Sequence, residues 1–164
     1  IALKINDIGT FINKLLKEGM CDHFLLQEAV ITQAATFTID GSLQADYFDS
    51  EETENLQLQD LSYVPFSLMR RIAETDAGQK KPLYFKFVFL LSPANQLNTV
   101  ERAGTSFLPE DVSGMYLHFT YKNETLTAPQ ESPTEISLDK TLDQEWDRLV
   151  PVFLRKNGIA AEPV

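Results

Sequence analysis

Three residues of the chain, Cys21, His23 and His118, are of the types that bind transition metals. Cys21 and His23 are two positions apart, so in an extended segment their side chains would face the same way. A carboxylate such as Asp22 could complete a four-ligand set with His118. Structural zinc usually takes four Cys or His ligands, and the chain has one cysteine and two histidines. We therefore expect no metal and no cofactor, and we interpret Cys21 as a buried thiol.

The sequence lacks the common motifs of nucleophilic and phosphate-binding enzymes. G-x-S-x-G, G-x-G-x-x-G, G-x-x-x-x-G-K-S/T and the EF-hand pattern do not occur in it. Cys21 is too close to His23 in sequence to predict a cysteine hydrolase, whose partners normally meet through the fold. Paired carboxylates could carry out acid–base chemistry, but 24 acidic residues single out no pair. The sequence thus predicts no catalytic residue.

One basic group could contact an anion or a partner. It consists of Arg70, Arg71, Lys80 and Lys81, with Lys86 following shortly after. Arg70 and Arg71 are expected on the outer side of a helix, and we interpret them as a solvated helix face. The alternative is an anion or nucleic-acid contact.

Acidic residues are concentrated in one third of the chain. The net charge is −10, and no lysine or arginine occurs between Glu18 and Met69. This stretch holds ten acids: Glu18, Asp22, Glu28, Asp40, Asp46, Asp49, Glu51, Glu52, Glu54 and Asp60. Such a surface repels phosphates, so we do not expect it to bind nucleic acid. We interpret it as a solvated face, and the alternative is a docking surface for a basic partner.

The first half of the chain has a clear helix signal followed by strand signals. A short strand over 3–5 precedes a helix over 7–18, which Asp7 is expected to cap and Gly19 to end. Strands are predicted over 24–32 and 36–39, and Asp40-Gly41 predicts a type I′ turn into a return strand over 42–48. Residues 49–62 are interpreted as an exposed loop or a short helix. A second helix is predicted from Pro65, as its first residue, to about residue 77.

The second half begins with the most strand-like segment, residues 83–91. Both of its faces are largely apolar, which predicts a central strand covered on both sides. A helix is expected from Ser92-Pro93 to Gly104. Strands over 115–121 and 125–128 should form a hairpin, and another is predicted over 135–138. The last helix contains Pro151, so we expect a kink or a break near 147–150.

These elements predict an α+β fold with a mainly antiparallel sheet of about seven or eight strands and packed helices. The length favours a single domain over 1–164. The element order also allows two pseudo-duplicated β-α-β-β-(β)-α halves, 1–78 and 79–164. An accidental repetition of a common α+β order is the alternative.

Four segments resemble an uncharacterised bacterial protein family. They are FLLQEA at 24–29, TFTIDG at 36–41, PEDVSG at 109–114 and LDKTLDQEWD at 138–147. The resemblance covers nearly the whole chain. It implies a cytosolic single-domain protein and carries over no activity, cofactor or site residue.

No apolar run approaches the roughly 20 residues that span a bilayer, no signal peptide is seen, and the lone cysteine suits a reducing compartment. We therefore expect a cytoplasmic, non-enzymatic interaction or regulatory domain with a protein partner, which could also form homo-oligomers. One alternative is a ring-forming protein like a DNA sliding clamp, by fold analogy alone. The other is an enzyme that uses carboxylates or a small-ligand pocket in the sheet–helix cleft.

Overall fold

A single antiparallel sheet organises the chain, whose computed structural model describes residues 2–70, 82–95, 115–129 and 141–163. The sheet has eight strands in the order β3-β2-β5-β6-β7-β1-β8, and β4 pairs with β2 off this path. The predicted α+β class and strand number are confirmed. The strands are β1 Ala2–Ile5, β2 Leu25–Thr32, β3 Thr36–Asp40, β4 Val64–Pro65, β5 Tyr84–Leu90, β6 Tyr116–Lys122, β7 Thr125–Pro129 and β8 Ala161–Pro163.

The longest helix within the described ranges is the last one. Helix α1 is Ile8–Ile12 and continues as a π-helical turn, Asn13–Lys17. A 3₁₀ turn, Ala45–Tyr47, precedes α2, Ser50–Asn55, and α3 is Thr141–Lys156. Residues 66–70 and 93–95 are also helical. No helix in these described ranges is both long and apolar enough to cross a bilayer.

The first helix begins and ends where the sequence predicts. The Asp7 side chain accepts a hydrogen bond from the backbone N–H of Thr10, which satisfies a donor that the first helical turn leaves unpaired. Gly19 follows the π turn with φ +73°, a left-handed conformation that glycine adopts without strain. Phe11, Leu15 and Leu16 are buried and anchor this helix in the core.

The predicted central strand is confirmed. β5 lies between β2 and β6, and Phe85, Phe87 and Phe89 on one of its faces are buried. Their rings pack on one another at centroid separations of 5.7 and 5.9 Å. The opposite face is less covered than expected: Val88 is buried, but its neighbours on that face are only half-buried.

The β6–β7 hairpin also follows the prediction. Inward residues alternate along β6, where Leu117, Phe119 and Tyr121 are buried. Asn123 and Glu124 join the strands with φ values of +52° and +61°, the sign that both central residues of a type I′ turn need.

The predicted Asp40-Gly41 hairpin is wrong. Gly41 does not have a positive φ, and residues 42–48 form a single bridge between Ser42 and Tyr63 followed by the 3₁₀ turn. Gly41 serves close backbone approach instead: a Cβ there would lie 1.7 Å from the Leu26 carbonyl oxygen. β3 instead forms a hairpin with β2, the strand that precedes it, through a tight connection at 33–35.

Prolines account for two further differences. Pro65 ends β4, and the helical residues begin one position later. A kink or a break was expected near 147–150, and the helix does not break there, since α3 continues through Pro151 to Lys156. Burial of Trp146, Val150 and Leu154 on one face of α3 offsets the roughly 3 kcal/mol that an interior proline costs a helix. β8 was not predicted, because Ala-Glu-Pro carries no strand pattern.

Several predicted elements lie outside the described residues. These are the helix beyond residue 70, the helix beyond residue 95 and the strand over 135–138. The proposed duplication of two halves stays a prediction.

Candidate functional site

Arg70 is the described member of the predicted basic group, and it is engaged within the fold. Its Nε lies 2.9 Å from Asp22 Oδ1, an ion pair that lacks the angle of a directed hydrogen bond. One guanidinium nitrogen donates to the carbonyl oxygens of Leu16 and Lys17, each at 3.1 Å. Arg70 therefore caps the end of the π turn, where carbonyl groups lack helical partners. Arg71, Lys80 and Lys81 lie outside the described residues.

Cys21, His23 and His118, the three residues of metal-binding type, differ in how deeply they are buried. Cys21 is fully buried, and this burial, with the Asp22 charge as a smaller cause, raises the pKa of its thiol well above the ordinary value. The thiol thus stays protonated and is a poor nucleophile or ligand. His23 is exposed, and His118 is half-buried on the face of β6 opposite the core. No group of three metal-ligating side chains occurs in the described part of the chain.

β3 forms one edge of the sheet. β3 pairs with β2 alone, and residues 36–38 and 40 are exposed. Gln33 N donates to Ala35 O and Gly41 N to Gln27 O at the two ends of this ladder. In an antiparallel pair, residues bonded to the neighbour alternate with residues that point their N–H and C=O away from it. The register therefore directs Phe37 and Ile39 toward β2.

The remaining residues of β3, Thr36, Thr38 and Asp40, direct their backbone groups outward. They present three N–H donors and three C=O acceptors along the open edge. No described residue hydrogen-bonds to these groups. This is the arrangement that lets a sheet accept a further strand.

An apolar strip lies beneath this edge. Phe37 and Ile39 stand opposite Ile31 and Ala29, which are both fully buried. Their side chains are therefore on the core side of the sheet. Ile39 packs against the core, but Phe37 keeps 43% of its surface exposed. The strip would continue the core beneath an added strand.

Two acidic side chains lie on the other face of the same edge. Glu28 on β2 is directly opposite Asp40 on β3. Lys86 Nζ on β5 lies 3.5 Å from Glu28 Oε2. The backbone N–H of Ser42 donates to Asp40 Oδ1 at 2.9 Å, and this hydrogen bond holds the pKa of Asp40 below its ordinary value.

The acidic stretch continues from β3 into α2. Asp49 caps α2 by accepting from Glu52 N at 2.7 Å, and the Glu52 side chain accepts from Asp49 N in return. Tyr47, just before this helix, is 81% exposed. The acids after β3 are solvated, as interpreted from the sequence, and they are all exposed: Asp46, Asp49, Glu51, Glu52, Glu54 and Asp60.

The molecule also has a concave surface, which lies between α3 and the sheet. It is a cavity of about 300 Å³ lined mainly by apolar side chains, among them Leu91, Leu117, Trp146 and Phe153. Lys156 is the one charged residue in the lining that is described. No carboxylate occurs among the described residues of this lining.

The open edge was not identified from the sequence. The alternation in Thr36-Phe37-Thr38-Ile39 predicts a strand, but strand order depends on pairing between distant segments. One signal was available: Phe37 is a large apolar residue that alternates with threonines in a short strand of the acidic third of the chain. It is an exposed apolar residue within a strand, the combination that proteins normally avoid at an edge.

Comparison with known proteins gives a family without an assigned activity. A family model described as a family of unknown function (DUF5721) matches residues 14–162. No curated protein and no solved structure matches the chain.

Proposed function

The chain belongs to this family of unknown function, and from its own surface we propose that it is a non-enzymatic interaction domain that binds a partner protein by strand addition at β3. An extended segment of the partner pairs with the outward N–H and C=O groups of Thr36, Thr38 and Asp40. Main-chain hydrogen bonds supply affinity in this mode, and alternate side chains supply specificity.

The unpaired outward groups of β3 carry this proposal. Edge strands usually bear a lysine, a proline, a bulge or a cover that prevents such pairing. Within the described residues β3 has none of these: it reads TFTID, its register with β2 is regular, and four of its five residues are exposed. Asp40, at its end, is its one charged residue. Most residues of β3 have high β propensity, and its outward backbone groups are unpaired within the described residues. This combination favours a binding role.

The acidic stretch supports a basic partner rather than a nucleic acid. β3 lies in the part of the chain that has ten acids and no lysine or arginine. Complementary charge raises the rate of encounter with a basic protein, whereas the same field repels phosphates. Arg70, which a clamp-like mode would turn toward DNA, is paired with Asp22.

We place this role in the cytoplasm. The chain has one cysteine, and it is buried and free. Proteins of oxidising compartments are instead often stabilised by disulfides.

Site-specific cross-linking in the cells that produce the protein tests the proposal. A photo-reactive phenylalanine analogue at position 37 should cross-link to a partner protein. Thr38→Pro removes an outward N–H and should abolish the cross-link. The matched variant Thr38→Ala keeps that N–H and should retain it. Equal cross-linking in both variants, or no cross-linked protein in either, contradicts strand addition.

A further inference from the structure

Two carboxylates stand side by side at the open edge, on the face of the sheet away from the core. Glu28 and Asp40 are directly opposite each other in the β2–β3 register. Like charges in this position repel. Lys86 lies on the inner side of Glu28, whereas Asp40 forms no ion pair within the described ranges. The outermost acid of the pair therefore faces the edge without a cation.

Asp40 is held in place to meet a ligand. Its Oδ1 accepts the hydrogen bond from Ser42 N, so the side chain is fixed to its own backbone. This bond lowers the pKa of the carboxylate below its ordinary value of 3.8, so the group is charged at neutral pH, as an ordinary aspartate is. The Ser42 side chain is a second hydrogen-bond partner of this carboxylate, and each carboxylate oxygen can accept more than one hydrogen bond.

Resting on the proposed function, we infer that the bound strand carries an arginine or lysine opposite Asp40 and apolar residues opposite Ile39 and Phe37. All strand pairs of this sheet are antiparallel, so we orient the added strand likewise. Its residues then alternate in the order basic, apolar, any, apolar, any. The base relieves the carboxylate repulsion, and the two apolar side chains cover Phe37 on the core side.

A second copy of this chain fits the edge less well. Pairing two β3 strands about Thr38 would satisfy the outward backbone groups and place Phe37 beside an isoleucine. It would set a threonine, not a base, opposite Asp40. Each copy also carries a net charge of −10, so the copies repel each other. The charge pattern therefore favours a basic partner.

Two synthetic peptides test this inference. Both have the apolar alternation, and they differ only in lysine or threonine at the first position of the pattern. Fluorescence anisotropy with the full chain should show the lysine peptide binding up to about fivefold more tightly, the range of a cross-strand ion pair. Asp40→Asn should remove the preference, and added salt should reduce it. Asp60→Asn, which changes an exposed acid outside the edge, should leave it intact.

The outcomes separate the two proposals. Equal binding of both peptides, lost in Thr38→Pro, would leave strand addition in place and overturn the inference about the base. A lysine preference that persists in Asp40→Asn also overturns it. Binding of neither peptide contradicts strand addition itself. A concentration-dependent dimer that Thr38→Pro dissociates would assign the edge to a second copy.

Discussion

At the scale of single residues, Cys21 links stability to alkaline pH. Burial raises the pKa of its thiol above the ordinary value of 9.0. As pH rises through that value, the unfolded chain loses the proton while the folded chain keeps it. The stability contributed by the neutral thiol is therefore full below about pH 9 and is lost as pH rises toward the folded pKa.

We expect the free energy of unfolding in urea to fall between about pH 8 and about pH 10. Cys21→Ala should show a smaller fall over the same interval, because it lacks the titrating group. The comparison of the two slopes isolates the thiol from the other groups that titrate there. Identical slopes would mean that Cys21 has the same pKa in the folded and unfolded chains, as an accessible thiol would, and would contradict its burial.

Phe87 is a buried aromatic residue of the central strand, and its loss should be costly. It is 2% exposed and its ring contacts those of Phe66, Phe85 and Phe89. Phe87→Ala should lower the free energy of unfolding by about 3–5 kcal/mol, since the cavity cannot collapse fully. Phe37→Ala, at an exposed position, is the matched control and should cost much less. Denaturant unfolding measures both, and similar losses would contradict the assigned burial.

At the scale of elements, β3 should show alternating protection of its backbone. The amides of Phe37 and Ile39 point toward β2, whereas those of Thr36, Thr38 and Asp40 point outward. Amide hydrogen exchange followed by NMR should be slow at the first two positions and fast at the other three. Phe37→Pro should therefore destabilise the fold more than Thr38→Pro. Uniform protection along β3 would show that its outer edge is covered.

Elements with a local physical cause were predictable from the sequence. β5 was found because apolar residues on both faces demand a central position, and α1 because Asp7 and Gly19 mark its ends. The prediction at Asp40-Gly41 was wrong because this dipeptide is typical of a turn. A glycine is needed at position 41 for another reason, which is the close approach of the Leu26 backbone on a neighbouring strand. The candidate site was missed for the same reason: a strand becomes an edge only through the pairing of distant segments.

At the scale of the whole molecule, the uneven charge should prevent tight DNA binding. The net charge of −10 and the ten-acid stretch repel a duplex. We expect no specific binding of duplex DNA at physiological salt in fluorescence anisotropy. Glu51→Lys with Glu52→Lys should raise weak, salt-sensitive binding, and Lys80→Glu with Lys81→Glu should lower it. Tight binding by the unmodified chain would instead favour a clamp-like role.

The position of β1 orders the events of synthesis on the ribosome. β1 pairs with β7 and β8. Ala2 can therefore pair only after Pro129 has been synthesised, and Leu3 can pair with Pro163 only after β8 has been synthesised. At about 5–20 residues per second, the first of these partners emerges about 6–25 seconds after β1. Throughout that interval Leu3 and Ile5, which are buried in the finished sheet, lack the strands that flank β1 in the fold. The nascent chain therefore offers an early binding segment to chaperones. The sheet is complete only after its last strand has been translated.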